Sequence, residues 1–285
     1  MVRKFLTIVC ALLMLTGSAL GEYGWDREFP TAPENLTSGY TVEFNPQIRH
    51  LAEEALKTLD FPASGISWKD GELFAQDRPE DTGERATLRY NSRGDLHYSK
   101  DTQTRKESDP NDALRESVAF AGRLLGDDRY LQGMPRIDWY YSEEGHLMTN
   151  IYDFVWPMLT TEGVPVETKS LTVTYSNGLV SSLHLWDGVL TPADIQTTYP
   201  YRDAQMALDH LNKVALSAEH SGALDDPADA LERLYLAYTP VFSQDGTYTP
   251  AWAFKLRDAN SHQPKATVFV ELSTGRVYDG RRILN

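Results

Sequence analysis

The chain has a single cysteine, Cys10, and it falls inside the apolar run that opens the sequence. With that run removed as a leader, no disulfide can brace the core and no thiolate is available for metal binding or nucleophilic chemistry. Long apolar runs are equally scarce. Beyond Leu20 nothing approaches the roughly 20 residues that a bilayer-spanning helix needs. Basic residues are outnumbered, 27 Lys and Arg against 41 Asp and Glu, for a net charge of −14. Such a surface repels nucleic acid and anionic lipid. Also missing are a G-x-S-x-G elbow, an H-E-x-x-H pair, a Walker phosphate loop and a C-x-x-C pair. Their absence removes the commoner serine-hydrolase, zinc-peptidase, nucleotide and redox readings.

What is present starts with the leader. Met1-Val2-Arg3-Lys4 is followed by apolar residues 5–15 and by Ser18-Ala19-Leu20-Gly21, which sets small residues where a signal peptidase reads. Residues 1–21 therefore read as a secretory signal peptide, and the mature protein as secreted or held in the cell envelope. Cleavage leaves 25 basic residues against 41 acidic, a net charge of −16, because Arg3 and Lys4 go and no acid does. Left uncleaved, the segment is the chain's one route to a membrane. Residues 22–39 are polar, broken by Pro30, Pro33 and Gly39, and read as a flexible leader.

Periodicity divides the rest. Asn45-Pro46 opens a helix with Ile48, Leu51, Ala52, Ala55, Leu56 and Leu59 on one face. Short strands follow at 66–68, 87–90 and 95–98, with a charged loop at 76–85. Asp109-Pro110 opens a second helix, whose inner face is Leu114, Val118, Ala121 and Leu125 and which Gly126 stops. Strands are expected at 137–142, 146–156, 170–175 and 179–186. A third helix starts at Asp203 and buries Ala204, Ala207, Leu208, Leu211, Val214 and Ala215. From 231 to 280 the alternation of apolar and polar residues, punctuated by Gln244-Asp245-Gly246 and Ser273-Thr274-Gly275, describes an antiparallel meander.

The fold class is thus α+β: tandem modules of one helix packed on a four-stranded antiparallel sheet, at 109–190 and 191–285, after a smaller helix-plus-hairpin region at 40–108. An offset of 97 carries Val173, Ser176, Gly178 and Val180 onto Val270, Ser273, Gly275 and Val277. An offset of 100 carries Thr149 and Phe154 onto Thr249 and Phe254. Both point to an internal duplication, although turn chemistry alone would supply the glycines.

On Tyr201-Arg202-Asp203-Ala204-Gln205-Met206-Ala207-Leu208, Leu234-Tyr235-Leu236-Ala237-Tyr238, Pro250-Ala251-Trp252-Ala253-Phe254 and Ser273-Thr274-Gly275-Arg276-Val277, the C-terminal part resembles the extracytoplasmic module of YycI- and YycH-type regulatory proteins. More broadly it resembles PepSY-like domains. The resemblance implies an exported, non-enzymatic protein that binds and modulates a protein or peptide in the envelope, such as a sensor kinase's outer domain or a peptidase. One departure stands out: those regulators keep their first helix in the membrane, whereas this leader looks cleavable.

Candidate chemistry is sparse. His184 and Asp187 bracket a strand end, but alternation points them to opposite faces. His210 and His220 are too far apart for one helical ligand pair, and Asp225, Asp226 and Asp229 lack a calcium-loop order. Arg93-Gly94-Asp95 reads as a turn. No catalytic, cofactor or metal residue is assigned. The stronger signal is aromatic density, and Trp139, Tyr141, Trp156, Tyr235 and Trp252 are the candidate partner-binding surface. The competing reading has the modules bury these aromatics against each other. The competing functions are an envelope glycan or peptidoglycan hydrolase built on carboxylates such as Asp187 or Glu143, and an inhibitor of a secreted peptidase.

Overall fold

The computed structural model describes residues 29–77, 85–101, 106–126, 128–142, 146–193, 197–217, 231–257, 264–280 and 283–284. The signal peptide expected at 1–21 lies outside them. Residues Thr31–Asn285 form one compact unit.

Two of the three helices start where the caps predict; the first starts two residues after the expected Asn45-Pro46 opening, with Gln47 at its N-cap and no side-chain cap. Helix α1 (Ile48–Leu59) follows a turn in which the Asn45 side chain accepts the Gln47 N–H at 3.1 Å, and it buries Ile48, Leu51, Ala52 and Ala55. Helix α2 (Pro110–Leu125) is capped by Asp109, which accepts from Asn111 N at 2.8 Å and Asp112 N at 3.4 Å, and is closed by left-handed Gly126. Val118, expected inside, is 39% exposed. Leu114, Ala121 and Leu125 are buried as expected, and the contact stripe widens toward Ala113, Ser117 and Leu124 instead. In helix α3 (Ala204–Ser217), Asp203 caps the Met206 N–H at 3.1 Å, and Ala204, Ala207, Leu208, Leu211 and Val214 are buried as expected.

Each helix precedes a run of strands: β2 (Ile66–Lys69), β3 (Glu72–Gln76), β4 (Ala86–Tyr90) and β5 (Asp95–Lys100) after α1; β6 (Arg136–Tyr141), β7 (Leu147–Leu159), β8 (Pro165–Ser176) and β9 (Leu179–Trp186) after α2; β11 (Leu231–Thr239), β12 (Thr249–Arg257), β13 (Pro264–Glu271) and β14 (Val277–Tyr278) after α3. Strand β15 (Ile283–Leu284) closes the chain, while β1 (Gly39–Phe44) and β10 (Gly188–Ala193) form a separate two-stranded ribbon. The protein is an α+β chain with few helices and one large, mostly antiparallel sheet.

The expectation of separate four-stranded sheets is corrected here. All three runs join in one 13-stranded sheet, in the order β15-β14-β13-β12-β11-β8-β9-β5-β4-β3-β2, with β7 also on β8 and β6 on β7. Antiparallel pairing of β5 with β9, from Asp95↔Trp186 to Ser99↔Ser182, makes one junction. The other is a single parallel step, Tyr238↔Val166, between β11 and β8. Margins that would leave unpaired N–H and C=O groups satisfy one another instead. The two sequence offsets do not superpose either. Phe154 faces Val173, whereas Val270 faces Trp252, a register two residues away that preserves every side-chain face. Both turns do need their glycine, since Gly178 and Gly275 have φ of 86° and 75°. At Gly275 a Cβ would also lie 2.4 Å from the Tyr201 ring.

Strands β1, β3, β10 and β15 escape the sequence reading. Strand β3 lies where a short alternation ran into the charged loop, and Asp70-Gly71, with φ of 52° and 82°, turns the chain into it. Strand β1 lies at the end of the supposed flexible leader, which is pinned from Thr31 onward. Ala32 N donates to Arg202 O at 2.9 Å, and Ala32 O accepts from the Arg202 guanidinium at 2.7 Å. Thr37 O accepts from Tyr238 OH at 2.6 Å. The Glu162 carboxylate takes hydrogen bonds from Thr37 Oγ1 and, at 2.7 Å, from Tyr40 OH. These partners lie far along the sequence, so local polarity gave no sign of them.

The main core lies between α1, α2 and the sheet. Helix α1 covers β4 and β5, and α2 covers β7, β8 and β9. Leu88, Leu96, Leu183, Leu185, Val173 and Phe154 are fully buried beneath them. Truncating Leu183 to Ala should cost about 2–5 kcal/mol, read as a lower urea midpoint at unchanged slope. Burial pushes the Glu162 carboxyl up, but hydrogen bonds from Thr37, Thr160 and Tyr40 outweigh it and hold it at about 2, below its ordinary value of 4.5. Its stabilisation is complete above pH 4.5 and disappears as pH falls toward 2. In urea titrations Glu162→Gln should be destabilised at neutral pH and converge with the wild type near pH 2.

Candidate functional site

Because side chains alternate, the strands that feed Leu88, Leu96 and Leu183 to the helices send their neighbours to the other face. One row there crosses seven strands: Phe74↔Arg89↔His97↔His184↔Thr172↔Val155↔Arg136. A second row, Gln76↔Thr87↔Ser99↔Ser182↔Thr174↔Asp153↔Asp138, runs beside it. Hydroxyls zip the second row together, Thr87 with Ser99 at 2.7 Å and Ser182 with Thr174 at 3.0 Å. Among the described residues no helix covers this face.

Near β2–β5 the face holds an open groove of roughly 990 Å³. Its floor is the His97–His184 pair, with ring centroids 6.0 Å apart, and the Phe74 ring with the Arg89 guanidinium 5.3 Å from its centroid. His184 Nε2 stands 3.3 Å from Asp95 Oδ1. Burial first, then the neighbouring His184 and Arg89, holds the His97 imidazole below its ordinary value. The groove thus offers an exposed aromatic plate, a guanidinium with open hydrogen-bonding edges and a neutral imidazole. That set suits binding by stacking and hydrogen bonding.

The far end of the rows is closed by charge. Asp138 accepts from Arg136 at 3.1 Å and from Lys255 at 3.3 Å, and Lys255 lies 3.6 Å from Glu232. Tyr140 OH donates to Asp153 at 2.6 Å. This network clasps β6 to β12 side chain to side chain.

The five candidate aromatics do not assemble into one surface. Trp156 and Trp252 are buried, 3% and 2% exposed. Trp156 belongs to the core beneath the helices, and the Trp252 indole N–H donates to Tyr201 O at 3.0 Å. Trp139 is half-buried, edge-on to Tyr152 at 5.6 Å on the same helix-covered side. Tyr235 is half-buried on the opposite face under the Arg233 guanidinium, and the Tyr141 side chain is outside the described residues. Aromatic count alone carries no sign of face. The cross-strand register of Arg89, His97 and His184 was the missing signal, and single-strand alternation does not supply it.

The acids considered for catalysis are occupied or outside the description. Asp187 accepts from Asn45 Nδ2 at 2.7 Å, Tyr130 OH at 2.8 Å and Arg129 at 3.3 Å, tying the start of α1 to the end of β9. As alternation requires, it does not meet His184. His210 Nε2 is bound to Gly275 O at 2.9 Å. Asn91 accepts from Arg93 N and Asp95 N, so Arg93-Gly94-Asp95 is a side-chain-stabilised turn. Glu143, His220, Asp225, Asp226 and Asp229 lie outside the described residues. Among the described residues no cluster of three or more His, Asp or Glu is placed to hold a metal, and no helix is long and apolar enough to cross a membrane.

Fold and site together define an α+β protein whose sheet, across β2–β9, carries helices and core on one side and a polar, grooved surface on the other, while the corresponding face of β11–β13 buries a second apolar cluster of Phe242, Ala251, Ala253 and Phe269. No protein-family model matches the chain, and no curated protein matches its sequence. Among solved structures, the Bacillus megaterium YpeB C-terminal domain superposes with a TM-score of 0.46 at 15% identity, over 86% of this chain and 100% of that one. YycH from Bacillus subtilis superposes with a TM-score of 0.41 at 14% identity, over 86% of this chain and 56% of that one.

An NMR titration checks the groove's electrostatics. The His97 imidazole should titrate below 6.5, and His184→Gln should raise its midpoint only part of the way back, because burial is the larger cause.

Proposed function

We propose that this chain is an exported, non-enzymatic binding protein of the cell envelope, and that its partner is a protein or peptide. The observation that carries the reading is the open groove on the helix-free face, where Phe74, Arg89 and the His97–His184 pair stand together in cross-strand register. Aromatic and arginine side chains in such a setting dominate the energy of protein recognition. Export is supported by the leader sequence. The recurrence of a helix before each strand run supports taking the units as copies of one PepSY-like module, the last two spanning 109–190 and 191–285. The acid best placed in sequence for polymer hydrolysis, Asp187, has its Oδ2 engaged by Asn45, Tyr130 and Arg129, which weighs against the hydrolase reading.

The test is capture from native envelope extract with the mature chain, followed by affinity measurement on the recovered partner. Phe74→Ala with Arg89→Ala should weaken binding about thirtyfold or more, as the loss of two anchors of about 1–2 kcal/mol each implies. Hydrolysis of peptidoglycan that one Asp or Glu substitution abolishes would overturn the reading.

A further inference from the structure

The sheet ends at β2, and that margin has a definite hydrogen-bonding pattern. Lys69 and Glu72 flank the two-residue turn Asp70-Gly71, whose central residues both have positive φ. In a hairpin of this kind the flanking pair exchanges both backbone hydrogen bonds, and pairs then alternate between bonded and open. Lys69 and Ser67 therefore bond to β3, while the backbone groups of Trp68 and Ile66 point outward. The Ile66 N–H is already taken by Ala63 O. Left at the margin are the N–H and C=O of Trp68 and the C=O of Ile66, and among the described residues no strand pairs with them.

The side chains bracket this edge. Trp68, 39% exposed, lies on the helix side with the Arg49 guanidinium 5.4 Å from its ring. Ser67 and Lys69 lie on the groove side, and both line the groove that Arg89 shares. Among the described residues neither Lys69 nor Arg89 forms an ion pair. Asp70 and Glu72 crowd the turn end, so a carboxylate that approaches Lys69 is steered toward Ser67. Natural edges are blunted by short length, charged side chains, proline, bulges or a covering loop; β2 is four residues long and ends in Lys69, but it contains neither a proline nor a bulge, so its Trp68 backbone groups stay able to pair.

We infer that the β2 edge receives an extended segment of a partner as an added strand, with apolar side chains on the Trp68 side and an acidic side chain toward Lys69. This rests on the reading of the chain as a binding protein and supplies that reading with a mode: main-chain bonds at Trp68 for affinity, alternate side chains for choice. A second copy of the chain fits less well, because its own β2, Ile66-Ser67-Trp68-Lys69, brings another lysine and no acid to set against Lys69.

The probes are a capped pentapeptide of alternating valine and glutamate and its valine–lysine counterpart, each added at millimolar concentration to the mature chain. Amide hydrogen exchange is followed by NMR. With the glutamate peptide the Trp68 amide should slow about tenfold, while the Ile66 amide, already bonded, stays unchanged. The lysine peptide should have no effect, and Lys69→Glu should reverse the preference. Trp68→Pro removes that donor together with the ring's contacts to Arg49 and Tyr90; it should abolish the peptide-induced chemical-shift changes at Ser67 and Lys69 while the Ser67, Lys69, Glu72 and Phe74 amides stay protected, because these carry the β2–β3 ladder. An unchanged Trp68 amide, an equal response to both peptides, or protection that grows with protein concentration alone would overturn the edge site, the last in favour of a second copy. A partner that binds wild type and Trp68→Pro equally, but not the Phe74 and Arg89 double variant, overturns the edge and leaves the binding role standing.

Discussion

Strand β9 is paired along both sides, with β5 on one and β8 on the other, and the rest of the molecule depends on that double pairing. Backbone groups at a buried strand margin cost several kcal/mol if they are left without partners in an apolar setting. The margin of the first strand run and the margin of the second meet that cost by bonding to each other. Once they do, α1 and α2 must share one face, and a single core forms beneath both, from Leu73 on β3 to Phe154 on β7. The same pairing lines up the cross-strand rows on the opposite face. The groove is therefore a by-product of how the core was closed.

The junction to the third run is built on different physics. A single parallel step, Tyr238↔Val166, joins β8 to β11, so little of the connection is ladder. Side chains supply the remainder. The ribbon of β1 and β10 lays Tyr40, Val42 and Leu190 against Val166, Tyr238 and Tyr248. On another side Arg136, Asp138, Lys255 and Glu232 link β6 to β12. Partly exposed ion pairs are each worth under about 1 kcal/mol, so the apolar cluster carries the weight here and the charges fix orientation. The segment read as a loose leader closes this junction, since Glu162 and Tyr238 hold it at Thr37.

Legibility varied with the range of the interactions. Helices α1 to α3 were readable because caps and the 3.6-residue period are local: Asp109, Asp203 and the Ala204-to-Val214 stripe act within a few turns of chain. The long strands β7, β8, β9, β11 and β12 were readable through their alternation. Strand β3 was not, because two inward residues, Leu73 and Ala75, make too short a pattern beside a charged segment. Strand β1 was not, because what orders it is β10, 154 residues away by the register Gly39↔Ala193. Among candidate sites, the turn at Arg93-Gly94-Asp95 and the mismatch of His184 with Asp187 followed from local geometry alone. The aromatic surface did not, because the density of Trp and Tyr gives no account of which face each strand turns toward the helices.

By itself the sequence determined the elements with strong internal signals: three helices, the alternating strands, the glycine turns, and a chain without a cysteine beyond Cys10. Each of these is decided by residues within one or two turns of each other. Only the tertiary structure decided that the runs would share one sheet, that Trp156 and Trp252 would be covered, and that Phe74, Arg89, His97 and His184 would meet. Those outcomes depend on which margins pair, and a strand's free hydrogen-bonding groups look the same in sequence whichever partner eventually satisfies them.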